Sequence, residues 1–348
     1  MWSPLPSGPL PRAGERVIDI HGHAYAREVD RLIEGRPQAE DDRRRMAEGS
    51  GGASMAHNAA DMLPKAGARM ASLDARLRDM DWMGIDVQLV SPAPNQYCHW
   101  AEPSLAGEIT SAVNEDIAGL VARAPDRLVG LGTVSLQHPE QAAGELSEVL
   151  GRQGLKGIEI SASVGTMELS DERLTPFWEA ANDLGLLVFI HPLGTTLGAR
   201  LDRYYLSNTV GQPTETTIGL SHLIFSGVLH RFPNIRFLAA HGGGYLPTYI
   251  GRSDHAWQVR PEARATPRPP STYLSQIWVD TVVFDPDVLS ATITAVGDDR
   301  VLFGTDYPFD MGAYRVNDML DTLGADPRTR RRILHDNAAR LLGLNGAT

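Results

Sequence analysis

Four histidines and one aspartate of this chain stand where metal or proton chemistry would need them: His21 and His23, His191, His241 and Asp306. Each closes a short apolar run. Arg16-Val-Ile-Asp-Ile-His21-Gly-His23 reads as a buried strand that stops at a His-x-His. Side chains two apart on a strand share a face, so both imidazoles can reach one point just past the strand end. Neutral imidazoles aimed at one point suit a first-row metal such as zinc. The run Leu186–Ile190 ends in His191, and Ile235–Ala240 ends in His241, followed by Gly242-Gly-Gly244. Val301–Thr305 ends in Asp306, then Tyr307-Pro308. A divalent metal lowers the pKa of its water towards ~7. A neighbouring histidine moves protons at that pH. Such parts could hydrate a double bond, protonate a carbon beside a carboxylate so that CO2 departs, or attack an ester or amide. The residues alone do not separate these outcomes.

The elements that must position these residues repeat regularly. Strands are expected at 16–21, 85–91, 128–134, 155–161, 186–191, 235–241, 277–283 and 301–306. Helical sequence follows near 69–83 (after an insert), 104–123, 139–152, 173–184, 214–231, 245–259 and 286–296, with further helices to about 343. Eight alternating strand–helix units predict an α/β protein, a (β/α)8 TIM barrel, whose active site lies at the C-terminal strand ends. An open doubly wound sheet would show a glycine-rich phosphate turn after its first strand, where this chain has His-Gly-His. One domain over residues 1–348 is expected. Residues 1–15 read as an irregular arm. Residues 24–68 read as a long polar insert or lid, with Arg43-Arg-Arg45, Gly49-Ser-Gly-Gly52 and His57. The histidines outside the set, at 99, 138, 222, 230, 255 and 335, fall in loops or helices and read as surface or capping residues.

The 348 residues carry a net charge of −11, which argues against nucleic acid and anionic membrane as partners. A small anionic substrate remains compatible, since local arginines can hold one. With one cysteine, Cys98, no intramolecular disulfide can form. The first residues hold prolines and glycines where a signal peptide needs an apolar run, and no stretch reaches the ~18 apolar residues of a spanning helix. A cytoplasmic protein is expected.

The ordered set His-x-His, His, His-Gly-Gly-Gly and Gly-Thr-Asp-Tyr-Pro-Phe resembles the amidohydrolase superfamily. Within it, His241-Gly-Gly-Gly-Tyr-Leu-Pro-Thr-Tyr-Ile-Gly-Arg252, Pro213-Thr-Glu-Thr-Thr217 and Phe303-Gly-Thr-Asp-Tyr-Pro-Phe309 are similar to the branch typified by amino-carboxymuconate-semialdehyde decarboxylase. The resemblance implies one divalent metal held by His21, His23, His191 and Asp306, zinc first and manganese second, with His241 as acid/base. It favours non-oxidative decarboxylation of an aromatic or muconate-type carboxylic acid over a hydrolase or hydratase acting on a lactone, amide or unsaturated diacid. In binuclear relatives the fourth strand commonly ends in a carbamylated lysine. Here it reads Gly157-Ile-Glu-Ile-Ser161, with Lys156 at the far end of the barrel; whether Glu159 faces the barrel or the helices stays open.

The resemblance further implies that Arg252 contacts substrate carboxylate across a homodimer interface. The apolar load of Tyr245, Leu246, Tyr249, Ile250 and Trp257 on that segment is consistent with such an interface. Phe309 has a place in the substrate pocket, and Trp178 reads as outer core. One departure is plain. The family's second substrate arginine has no clean match in Met62-Leu-Pro-Lys65-Ala-Gly-Ala-Arg69, where Lys65 or Arg69 would have to substitute.

Overall fold

The computed structural model describes residues 8–10, 14–152 and 154–344, so much of the expected arm at 1–15 lies outside the described residues. The chain runs β1 (Ile18–Ala24), four insert helices α1 (Glu28–Ile33), α2 (Pro37–Ser50), α3 (Gly52–His57) and α4 (Leu63–Met70), then α5 (Leu73–Met83) and β2 (Val87–Pro92). It continues α6 (Pro103–Arg123), β3 (Leu128–Gly132), α7 (Pro139–Gly151), β4 (Leu155–Ser161), α8 (Thr175–Asp183) and β5 (Leu187–His191). After α9 (Gln212–Phe225) and α10 (Val228–Arg231) come β6 (Arg236–Ala239), α11 (Leu246–Val259), β7 (Ile277–Asp280), α12 (Pro286–Val296) and β8 (Val301–Leu302). Helices α13 (Val316–Leu323), α14 (Pro327–Arg331) and α15 (Asn337–Leu342) end the chain. No described helix is long and apolar enough to cross a membrane.

The eight strands form one sheet in sequence order, with each strand parallel to its neighbours. The Gly22–Tyr307 bridge and Ile20 N–H donating to Phe303 O (2.8 Å) join the first strand to the last, closing the expected (β/α)8 barrel. Near-continuous apolar runs such as Leu187-Val-Phe-Ile190 suit strands buried on both faces. Val188, Ile190, Ile158, Ile160 and Phe237 pack outward against the helices. Val87, Leu89, Leu187, Phe189 and Leu238 fill the barrel, whose base is plugged by Ala338, Ala339, Leu341 and Leu342 of α15.

Several boundaries differ from the sequence reading. The first strand runs through His-Gly-His instead of stopping there, and β8 is only two residues long. Beyond β8 the chain stays extended without a ladder, tied to β1 by Asp306 N donating to His21 O (2.9 Å). The expected helix at 69–83 is two helices, because Ser72 adopts extended backbone and caps α5 by accepting from Ala75 N. The expected helix at 214–231 breaks where Gly227 takes φ +78°. The insert is largely helical. Its glycine run is a docking point: a Cβ on Gly51 (φ +80°) would lie 1.7 Å from Asp202 O, so only glycine admits this approach to the loop after β5.

Two family-like motifs interlock. Glu215 accepts from Thr196 N (2.6 Å) and Thr196 Oγ1 (2.7 Å), pinning that same loop. Thr217 Oγ1 accepts from Tyr245 N (2.8 Å), and a Cβ on Gly244 would sit 2.2 Å from Pro213 O. The Pro-Thr-Glu-Thr-Thr segment is thus the seat on which His241-Gly-Gly-Gly turns.

Candidate metal centre

The barrel mouth brings His21, His23, His191 and Asp306 together, with one ligand atom from each within 4.8 Å of the others. All four are buried. Their outward hydrogen bonds fix the tautomers. His21 Nδ1 lies 2.7 Å from Asp280 Oδ2, His23 Nδ1 lies 2.9 Å from Pro92 O, and His191 Nδ1 lies 2.9 Å from Pro192 O. Each acceptor requires a proton on Nδ1, which leaves the lone pair on Nε2 of a neutral ring. The Nε2 atoms of His21 and His23 then face each other at 3.1 Å with no proton to share. His191 Nε2 and Asp306 Oδ1 are buried without a hydrogen-bond partner. Three converging lone pairs and one carboxylate oxygen, buried together, fit a divalent cation.

The electrostatics agree. Burial alone would raise the pKa of Asp306, but His21, His23 and His241 hold it well below the ordinary carboxylate range. Burial and the neighbouring imidazoles push His191 well down, keeping it neutral. Burial opposes charge on His23 and His241 too, yet Asp306 raises both.

His241 sits beside the four. Its Nε2 is 3.6 Å from Asp306 Oδ2, its ring centroid is 5.1 Å from that of His191, and its Nδ1 is buried without a partner. His241 and Asp306 both adopt left-handed backbone, φ +56° and +58°, an uncommon strain for residues with a Cβ. Asp280, which the sequence reading passed over, holds this arrangement. Its Oδ2 accepts from His21 Nδ1 and from His241 N (3.0 Å), and its Oδ1 accepts from Gly242 N (2.8 Å) and Val282 N (3.0 Å). The signal was present, since Ile277-Trp-Val-Asp280 is an apolar run closed by a polar, ligand-type residue as the other site strands are. Glu159 faces the barrel: Tyr97 donates its hydroxyl to Oε1 (2.5 Å), and Oε2 stands 3.8 Å from His23 Nδ1. Burial raises its pKa. Lys156 is exposed at the start of β4.

The other expected residues divide. Phe309 borders the centre, its ring centroid 5.4 Å from that of His23, among Ala66, Met70, Ala93 and Met62. The insert therefore supplies an apolar wall beside the ligands. His57 of α3 pairs with Asp310 (3.3 Å) at the mouth and not with the cluster. Arg252 is exposed on α11 and is not brought to the centre within one chain. Lys65 pairs with Asp61 (2.5 Å) and Arg69 with Asp79 (2.9 Å), so neither offers an idle cation. Trp178 is buried outer core beside Phe177 and Phe237. Among the other histidines, His138 bonds Ala101 O, while His99 stacks on Tyr97.

The family model described as Amidohydrolase matches residues 18–344. The chain belongs to the amidohydrolase family. Among curated relatives of this amidohydrolase, 2-amino-3-carboxymuconate-6-semialdehyde decarboxylase of Dictyostelium discoideum is 34% identical over 275 residues, covering 78% of this chain and 77% of that one. Gamma-resorcylate decarboxylase of a Polaromonas species is 27% identical over 291 residues, covering 78% and 87%. A solved dihydroxybenzoic acid decarboxylase from Polaromonas, with manganese and the inhibitor 2-nitroresorcinol bound, superposes with a TM-score of 0.79 at 25% identity, covering 96% of this chain and 98% of that one.

Proposed function

We propose that this amidohydrolase is a metal-dependent, non-oxidative decarboxylase of an aromatic or muconate-type carboxylic acid. The observation that carries the reading is the set of bare Nε2 and Oδ1 atoms at His21, His23, His191 and Asp306, with His241 alongside. These four residues would hold one divalent cation. The nitrogen-rich donor set favours zinc, with manganese as the metal to compare, since it occupies the dihydroxybenzoate relative. Such a cation supplies Lewis acidity, polarising substrate oxygens and acidifying water.

The chain's own residues supply the rest. His241, beside the four, is placed to deliver a proton to the carbon that carries the carboxylate. The carbon becomes tetrahedral; the bond to the carboxylate then breaks, its electron pair stays with the carbon skeleton, and CO2 leaves. Solvent returns the proton to His241. Phe309 and the insert wall exclude water from the substrate's apolar face. Asp280 fixes the main chain of His241 and the tautomer of His21.

The substrate carboxylate needs a cation, and none stands idle beside the centre among the described residues named above. A homodimer in which Arg252 enters the partner's mouth meets this need. Tyr245 and Tyr249 are 44% and 67% exposed on the same segment, as surface awaiting cover would be. The test is metal analysis with CO2 release from the relatives' named substrates, gamma-resorcylate and 2-amino-3-carboxymuconate semialdehyde. About one metal per chain and CO2 evolution are expected. Addition of water to an unsaturated diacid without CO2 release would favour the hydratase alternative, consistent with a 24% identical hydratase of a Sphingobium species.

A further inference from the structure

Strand parity alone would aim His21 and His23 the wrong way. Ile18 and Ile20 lie in the barrel-filling cluster, so strict alternation would put Gly22 inside and both histidines against the helices. Between Asp19 and Gly22, β1 advances three residues while its partner β2 advances two, from Gln88 to Val90. This β-bulge lets Ile20 and His21, neighbours in sequence, both face the interior: the His21 ring lies 5.0 Å from Phe189 and from His191.

A buried network sits behind the bulge, on the helix side of the barrel wall. Asp19 Oδ1 accepts from His21 N and Thr305 N, each at 3.0 Å. Its Oδ2 accepts from Thr305 Oγ1 (2.6 Å) and Gln88 Nε2 (2.7 Å). Gln88 Oε1 in turn accepts from Arg76 of α5 (2.6 Å), whose second arm donates to His23 O (2.5 Å). Asp19, Gln88 and Arg76 are each 0% exposed. The same unit explains the glycine of His-Gly-His, because a Cβ on Gly22 would lie 2.9 Å from Gln88 Cδ.

We infer that Asp19, Gln88 and Arg76 are positioning residues for the metal centre: they hold the bulge that turns His21 and His23 inward and lock it to the segment carrying Asp306. A buried guanidinium that donates to an amide and a backbone carbonyl is a costly choice for mere packing. Here its charge is balanced by Asp19 through the Gln88 amide, whose oxygen accepts from Arg76 and whose nitrogen donates to Asp19. The three arms end on His21 N, His23 O and Thr305, and so tie the first strand, with His21 and His23, to the last stretch, with Asp306. This inference rests on the proposed metal site.

The test measures Zn2+ and Mn2+ affinity of the folded, metal-stripped full chain by equilibrium dialysis, beside its melting temperature. Gln88→Met removes both amide links at similar volume. Arg76→Lys keeps the charge but loses the fork. Leu146→Ala, a fully buried change on the outer helix α7, serves as the stability control. Gln88→Met should bind metal about 10–100-fold more weakly, the usual cost of losing an outer-shell partner, and Arg76→Lys should fall between it and the unaltered chain. Leu146→Ala should melt lower with unchanged affinity. Should Gln88→Met not fold, Arg76→Lys decides. Full affinity in the folded variants, or an equal loss in Leu146→Ala, overturns the inference. If the unaltered chain itself binds no metal, it is the metal-site reading that fails.

Discussion

Asp280→Asn is the sharpest perturbation of the centre, because it changes one atom and little volume. The carboxylate receives four donors, two on each oxygen: His21 Nδ1 and His241 N on Oδ2, Gly242 N and Val282 N on Oδ1. An amide can satisfy only the pair on its oxygen; its NH2 faces two other donors, whichever way it flips. Each buried donor left unmet costs about 1–3 kcal/mol, so a loss of about 2–6 kcal/mol in stability is expected. If the NH2 faces His21, that ring loses the charged partner that fixes its Nδ1 proton, and metal affinity should drop about 10–100-fold. That range is about 1.4–2.7 kcal/mol. If it faces Gly242 and Val282, the loss appears in His241's turn and turnover falls at saturating metal. Chemical denaturation of the metal-free protein, equilibrium dialysis and CO2 release at saturating metal separate these outcomes. Unchanged stability, affinity and turnover together would refute the assigned role of Asp280.

Other outcomes follow from the same geometry. His241→Ala should keep the metal and lose turnover, whereas His191→Ala should lose both; metal content measured beside rate checks the split. Mixing inactive His241→Ala with inactive Arg252→Ala chains should restore activity if Arg252 crosses to its partner's mouth, and a fully active monomer in sedimentation would exclude that sharing. Burial pushes His99 down to about 4, so between pH 6.5 and 4 the unfolded chain binds a proton that the folded chain refuses. Stability therefore falls as pH drops through that window, and His99→Phe should flatten the slope in urea midpoints measured across it.

The strand ends were legible because chemistry and periodicity coincided there: an apolar run closed by His191, His241 or Asp306 announces both a strand and a site. The insert was not. Its glycines look like linker sequence, and only Asp202 on a distant loop gives Gly51 its reason. The bulge in β1 was equally silent, since the run Val-Ile-Asp-Ile-His fits plain alternation. What bends it is Gln88 and Arg76, 69 and 53 residues from the backbone and side-chain groups they hold. Asp280 could have been found by applying the strand-end rule once more. The bond from Tyr97 to Glu159 could not, because no local pattern ties a loop tyrosine to a glutamate 62 residues on.

The plug of α15 makes the barrel a cup. Leu341 and Leu342 seal its floor, and Arg236 fastens them by donating to Leu341 O (2.6 Å). Traffic through a cup shares one rim. With the floor sealed, an incoming acid and the departing CO2 both use the rim at the C-terminal strand ends. CO2 freed at the mouth therefore leaves by the rim through which the acid entered.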